Sequence, residues 1–230
     1  MHVKGINDDI QGIVFDMDGL LVNSEKLYWD ANIQAAEEED LGTPRDAYLK
    51  LTGATVKEMQ DFYHKYFKTD ADRDRFIKRT DDLVWQWTDE GKLKLQPGVQ
   101  EALDEFQKRG MHMAIASSNY EDVVQHVLWA TGIRNYFDFH ISYLDVQKGH
   151  IEPKPAPDIY LTAAKKMHLP KENILVFEDS STGVQSAASA GLKCVMVPDL
   201  IPPTEKDRTN AAMICQNFFE FLKRIQRFLA

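Results

Sequence analysis

The spacing of apolar residues changes character along the chain. From residue 24 to about 90 they recur at three- and four-residue intervals, as on helix faces: Leu27, Ala31 and Ala35 in one stretch, Phe76, Leu83, Val84 and Trp87 in another. The spacing predicts helices over 24–40, 45–51, 56–67 and 71–90. Leu41-Gly42-Thr43-Pro44 and Thr52-Gly53-Ala54-Thr55 interrupt them, and Gly91 closes the last. Ser24 is the expected cap of the first helix. No credible strand falls between 22 and 94.

Elsewhere short apolar runs alternate with helical stretches. Strands are predicted at Ile13–Phe15, Met111–Ala116, Tyr136–Tyr143, Ile174–Phe177, Lys193–Val197 and, weakly, Met213–Cys215. Between them lie helices over 99–109, 120–131, 156–168 and 181–190, three of them stopped by Gly110, Gly132 and Gly191, with a further helix at the C-terminus. Such alternation implies βαβ units: an α/β fold with a doubly wound, mostly parallel sheet and right-handed crossovers. The expected division is a Rossmann-like core of 1–21 plus 95–230, with an all-α cap of 22–94 inserted after the first strand and folded as a lid over the sheet's carboxyl edge.

Composition narrows the function. The chain has 230 residues, 43% of them hydrophobic, and a net charge of −9, which argues against general nucleic-acid binding or an anionic membrane surface. No apolar run approaches the roughly 20 residues of a membrane helix. The start, MHVKGINDDI, lacks a long apolar segment, so no signal peptide and a cytoplasmic location are expected. Cys194 and Cys215 are isolated in apolar stretches and read as buried reduced thiols. The seven histidines form no spaced ligand pair and none adjoins a cysteine.

Chemistry gathers where strands end. After Ile13-Val14-Phe15 come Asp16, Met17, Asp18 and Gly19. Residues two apart on an extended chain point the same way, so Asp16 and Asp18 project together while Met17 turns aside. Paired acids at the carboxyl end of a sheet invite a cation, with oxygen-preferring Mg²⁺ the natural candidate. The second strand ends in Ser117-Ser118-Asn119, which can form a phosphate cradle of hydroxyls and free amides ahead of a helix; for the triplet taken alone, plain helix capping by Ser118 or Asn119 is the favoured reading. Pro153-Lys154-Pro155-Ala156-Pro157 stiffens a loop and aims its lysine; a solvated surface lysine is the alternative. The fourth strand ends in Glu178 and Asp179, metal ligands or, for Asp179 and Ser180, caps of the next helix.

Taken together, FDMDGLLVNSE, ASSN, EPKPAPDIY and VFEDSSTGVQSAASAG resemble the four motifs of the haloacid dehalogenase superfamily, in its order and at its spacing over nearly the whole chain. Within it they look most like pseudouridine-5′-phosphatase and its sugar- and polyol-phosphatase relatives, with the β-phosphoglucomutases similar too. The resemblance implies a Mg²⁺-dependent phosphatase acting on a small phosphomonoester through an aspartyl phosphate. It makes Asp16 the nucleophile and Asp18 the general acid and base. Ser117 and Lys154 hold the phosphoryl group, beside Ser118 and Asn119. Asp16, the Asp18 carbonyl and Asp179 bind the metal, with Glu178 as ligand or support.

Two departures stand out: Asn23 where relatives commonly have Asp, and Pro153 where many have Gly. Tyr28 replaces a histidine usual in the mutases, which turns the reading away from a phosphosugar mutase, the alternative enzyme. A non-catalytic phosphate-binding protein on the same fold is the alternative of another class. The Gly53 loop, rich in small polar residues, is expected to face Asp16 and contact the leaving group; an ordinary interhelical turn is the equal alternative. The expected partner is a small phosphorylated metabolite, with no nucleic acid, no membrane and a monomeric chain.

Overall fold

The structure is a computed structural model that describes residues 1–149 and 151–226. Its centre is a six-stranded sheet, all parallel, in the order β3-β2-β1-β4-β5-β6. The strands are β1 (Gly12–Phe15), β2 (His112–Ala116), β3 (Phe139–Ile141), β4 (Ile174–Glu178), β5 (Lys193–Met196) and β6 (Met213–Ile214). Helices α4 (Val99–Lys108), α5 (Glu121–Thr131), α6 (Tyr143–Gly149), α7 (Asp158–Met167), α8 (Ser181–Ser189), α9 (Glu205–Asn210) and α10 (Phe218–Leu222) cover its faces.

The alternation within each central strand sorts its side chains between two cores. Ile13 and Phe15 of β1 pack with Leu175 and Phe177 of β4 on one face, over Phe106, Phe218 and Phe221. Val14 and Val176 point to the other face, against Tyr160, Ala163 and Val184. Phe15 and Phe177 stack with ring centroids 5.4 Å apart, which pins the β1–β4 register. The chain winds outward from β1 in one direction to β3 and in the other from β4 to β6. The order therefore reverses between β1 and β4, and open sheets place their ligand crevice at the carboxyl ends of such a pair.

Residues 22–94 hold α1 (Ser24–Glu38), a 3₁₀ segment at Arg45–Leu51, α2 (Val56–Tyr66) and α3 (Asp70–Asp89). They bury a core of their own around Tyr48, Phe62, Phe76 and Leu83. The two connectors to the sheet run side by side. Val22 forms an antiparallel bridge with Leu95, Gln96 N–H donates to Leu21 O at 2.9 Å, and Lys94 N–H donates to Asn23 Oδ1 at 2.7 Å.

Several local expectations change. Ser24 does not cap α1: Asn23 occupies that position without a side-chain bond, and Ser24 turns its hydroxyl to Asp18 instead. The strand expected over Tyr136–Tyr143 shrinks to Phe139–Ile141, because Arg134–Tyr136 winds into a 3₁₀ turn and Tyr143 begins α6. Helix α9 was not anticipated. Both cysteines are buried and unpaired. Among the described residues no helix is long and apolar enough to cross a membrane.

Candidate active site

Each predicted chemical residue lies at or just past a strand's carboxyl end, apart from Lys154 and Gly53, which reach the site from loops. The Asp16 N–H donates to Phe177 O at 3.0 Å, which carries the β1–β4 ladder one residue further and sets Asp16 beside Glu178. Met17 is wholly buried in the core, so Asp16 and Asp18 share the opposite side as their spacing predicts. Gly19, at φ +74°, turns the chain away; a methyl group there would fall 2.3 Å from Asp179 Oδ2 and 3.0 Å from Glu25 Cγ.

Lys154 is the hub. Its ammonium donates to Asp16 Oδ1 at 2.5 Å, Glu178 Oε1 at 2.7 Å and Ala116 O at 3.0 Å, using all three of its protons. Burial works against the charged ammonium, but the Asp16 and Glu178 carboxylates more than offset it and hold its pKa above the usual lysine range. The proline-flanked lysine is aimed inward rather than solvated: its side chain is 6% exposed.

Glu178 is fully buried and held on both oxygens. Oε1 accepts from Lys154 and, at 2.5 Å, from the Tyr160 hydroxyl; Oε2 accepts from Asp179 N–H at 3.2 Å and Ser180 Oγ at 3.2 Å. The two readings of the β4 end separate by residue. Ser180 is the cap of α8, accepting from Gly183 N–H at 3.1 Å, while Asp179 is free for the crevice.

One oxygen each from Asp16, Glu178 and Asp179 lies within 4.8 Å of the others, and all three residues are buried. Burial, then the Glu178 and Asp18 charges, push Asp16 up to about 8 despite Lys154. Burial, then Asp16 and Glu178, push Asp179 well up too. Hard oxygen donors that repel one another in a buried pocket are the donor set a small divalent cation suits, and Mg²⁺ fits these residues.

Asp18 sits to one side. Its Oδ1 accepts from Ser24 Oγ at 2.8 Å, and its Oδ2 lies 3.4 Å from both Ser117 Oγ and Asn119 Nδ2. Burial raises its pKa against the hydrogen bonds from Ser24, Asn119 and Ser117, which favours the protonated acid. Ser117 is fully buried, its hydroxyl accepting from Asn119 N–H at 3.0 Å, so Ser118 and Asn119 are the members of the triplet that line the open cleft. The cap of α5 is Tyr120, without a side-chain bond.

The cleft measures about 520 Å³ and opens between the sheet and the helical block, with Asp16, Lys154 and Asp179 on one wall and Tyr28, Thr52 and Gly53 on the other. Gly53, at φ +61°, lets its loop approach α8: its carbonyl accepts from Thr182 Oγ1 at 2.7 Å, and a methyl group there would meet Ser180 Cβ at 3.0 Å.

A profile of the haloacid dehalogenase-like hydrolase family matches residues 13–197. The chain belongs to that family. This haloacid dehalogenase-like hydrolase is 29% identical over 184 residues to the phosphorylated carbohydrates phosphatase of Thermotoga maritima, covering 80% of this chain and 83% of that one. It is 30% identical over 207 residues to a pseudouridine-5′-phosphatase assigned in Drosophila melanogaster, covering 86% and 85%. Its fold matches CbbY from Rhodobacter sphaeroides, solved in complex with phosphate, at a TM-score of 0.75 and 26% identity over 92% of this chain and 96% of that one.

Four residues of the site carry roles that sequence reasoning did not assign. Tyr160, inside EPKPAPDIY, holds Glu178. Gly183 leaves room for that carboxylate, since a methyl group there would lie 1.9 Å from Glu178 Cδ. Ser24 binds Asp18. Glu25 overhangs the turn at Gly19, its pKa pushed up to about 8 by burial and by Asp18. An acid next to the serine of the first motif was a signal available in the sequence.

Proposed function

We propose that this family member, a phosphoric monoester hydrolase, uses Mg²⁺ to hydrolyse a small phosphomonoester of a sugar, polyol or nucleoside through an aspartyl phosphate on Asp16. The observation that carries the reading is the junction at Lys154: one ammonium between the Asp16 nucleophile and Glu178, with Asp179 alongside. Phosphoryl transfer asks for charge neutralisation and in-line positioning above all.

An Asp16 carboxylate oxygen attacks phosphorus, the P–O bond to the leaving group breaks, and Asp18 gives its proton to the departing alkoxide. Asp18, now a carboxylate, takes a proton from water as the water oxygen attacks the phosphoenzyme, which frees phosphate and restores Asp16. Lys154 neutralises the phosphoryl oxygens, and Ser118 and Asn119, the latter braced by the buried Ser117 hydroxyl, receive them from the other side. Asp16, the Asp18 carbonyl and Asp179 would hold Mg²⁺, with Glu178 positioning Lys154 and Asp179 because both of its oxygens are already engaged. When bound, the metal offsets the charge of the phosphoryl group and the nucleophile.

Residues 22–94 act in this reading as a cap that swings on its paired connectors, closes over the bound ester and excludes water until the second step. The test is phosphate release from a panel of phosphomonoesters by wild type and Asp16→Asn, with and without Mg²⁺. Release that needs both Asp16 and Mg²⁺ supports the reading; release by Asp16→Asn near the wild-type rate refutes it.

A further inference from the structure

The charges lining the cleft are one-sided. Asp16, Asp18, Glu25, Asp81 and Asp179 place five carboxyl groups along it, and among the described lining residues Lys154 is the one cation. That lysine is already committed at the phosphoryl end, 2.5 Å from Asp16. A leaving group bound on the helical side therefore meets no positive charge there.

The helical block does own cations, but its four arginines face elsewhere. Arg73 pairs with Asp70 at 2.9 Å, Arg75 with Asp72 at 2.6 Å, Arg79 with Glu38 at 2.5 Å and Arg45 with Glu37 at 3.7 Å. None of them lines the cleft. The helical wall offers instead the hydroxyls of Tyr28, Tyr63 and Thr52, the carboxyl of Glu25 and the apolar side of Met59. Glu25 can hydrogen-bond a sugar hydroxyl in either protonation state, whereas as a carboxylate it repels a second anion.

We infer that this cleft selects monophosphates whose leaving group is uncharged and hydroxyl-rich, and discriminates against bisphosphates and phosphorylated acids. The inference rests on the phosphatase reading and sharpens its substrate class. A second phosphate or a carboxylate seated against Glu25 or Asp81 would be desolvated with no cation to pair it, an arrangement that acts as a specificity filter. A volume of about 520 Å³ leaves room for a leaving group of pentose, hexose or nucleoside size, so charge rather than bulk does the sorting. The same wall disfavours a phosphosugar mutase, which must hold a bisphosphate between its two half-reactions.

The experiment uses matched pairs with the full chain and Mg²⁺: glycerol 3-phosphate against 3-phosphoglycerate, and glucose 6-phosphate against glucose 1,6-bisphosphate. Each is measured as a substrate and as a competitor of p-nitrophenyl phosphate hydrolysis, so that poor substrates still report binding. The neutral member of each pair is expected to win by about tenfold or more in kcat/KM or in inhibition constant. Met59→Arg, which puts a cation on the helical wall, is expected to move both ratios toward the charged member. Equal or better use of the charged members by wild type overturns the inference. Failure to release phosphate from any compound, p-nitrophenyl phosphate included, overturns the phosphatase reading on which it rests.

Discussion

The Ser24 hydroxyl donates to Asp18 Oδ1 at 2.8 Å, and the Gly19 N–H donates to that same hydroxyl at 3.2 Å. One short side chain thus ties the first residue of α1 to the acid beyond β1. Ser24 follows directly on the connector that pairs Val22 with Leu95, so any rotation of the helical block about its connectors alters the setting of Asp18. Asp18 and the helical block are mechanically coupled at this bond.

Ser24→Ala removes that tie and one of the hydrogen bonds that hold the Asp18 pKa down. The pKa then rises further, so the alkaline limb of kcat/KM on an alkyl phosphate moves to higher pH, because the leaving group needs Asp18 protonated. The rate at the optimum falls by about tenfold through lost alignment. A pH–rate profile checks both; an unmoved alkaline limb sinks the coupling.

Much of this architecture was legible in the sequence, for local reasons. β1 and β4 are short apolar runs stopped by acids, and that pattern depends on no other part of the chain. β3 misled because Tyr136, Phe137 and Phe139 make an aromatic run that sequence periodicity cannot divide, whereas the Ser142 N–H donates to Asp145 Oδ2 at 3.0 Å and starts α6. Helix α9 carried its signal in Thr204-Glu205-Lys206-Asp207, a capping box in which Thr204 and Asp207 bond reciprocally. The support of Glu178 was not legible at all. Tyr160 on α7 and Gly183 on α8 meet it only when two helices pack on the same face of the sheet.

Gly183→Ala tests that support. The backbone of Gly183 suits any residue, but the added methyl would fall 1.9 Å from Glu178 Oε1. Glu178 must move, and Lys154 with it. The expected result is a loss of about 1–3 kcal/mol in unfolding free energy, as for overpacked cores, together with a fall in kcat of at least about a hundredfold. A variant with wild-type kcat shows that Glu178 does not position Lys154.

Metal binding is expected to release protons. Asp16 is pushed up to about 8, so below that pH the cation must displace a proton from its ligand. The apparent Mg²⁺ affinity should therefore climb from pH 6 to about 8 and level off above. Titration calorimetry in buffers of different ionisation enthalpy measures both affinity and proton release. Binding that is independent of pH and proton-neutral at pH 7 contradicts the assignment of Asp16 as a ligand.

The same shift governs stability in chelator. Asp16 is raised in the folded state from its unfolded value of 3.8, so the folded protein holds the proton more tightly. Its contribution is complete below pH 3.8 and is lost progressively as pH rises through about 8. In EDTA the wild-type Tm should fall between pH 6 and 9 more steeply than that of Asp16→Asn, whose amide does not titrate. Parallel Tm curves for the two proteins would show that Asp16 is ionised throughout.

Asp18→Asn exposes the covalent step at Asp16. An amide cannot activate water, so dephosphorylation slows by about 10²–10⁴-fold. With p-nitrophenyl phosphate, whose leaving group needs no proton, the first step still proceeds. Rapid acid quench, proteolysis and mass spectrometry of the Asp18→Asn enzyme then locate the phosphoryl group. The expected result is a phosphorylated peptide carrying the modification on Asp16, formed at up to one equivalent per chain. Steady turnover with no phosphorylated Asp16 at any time point would contradict it.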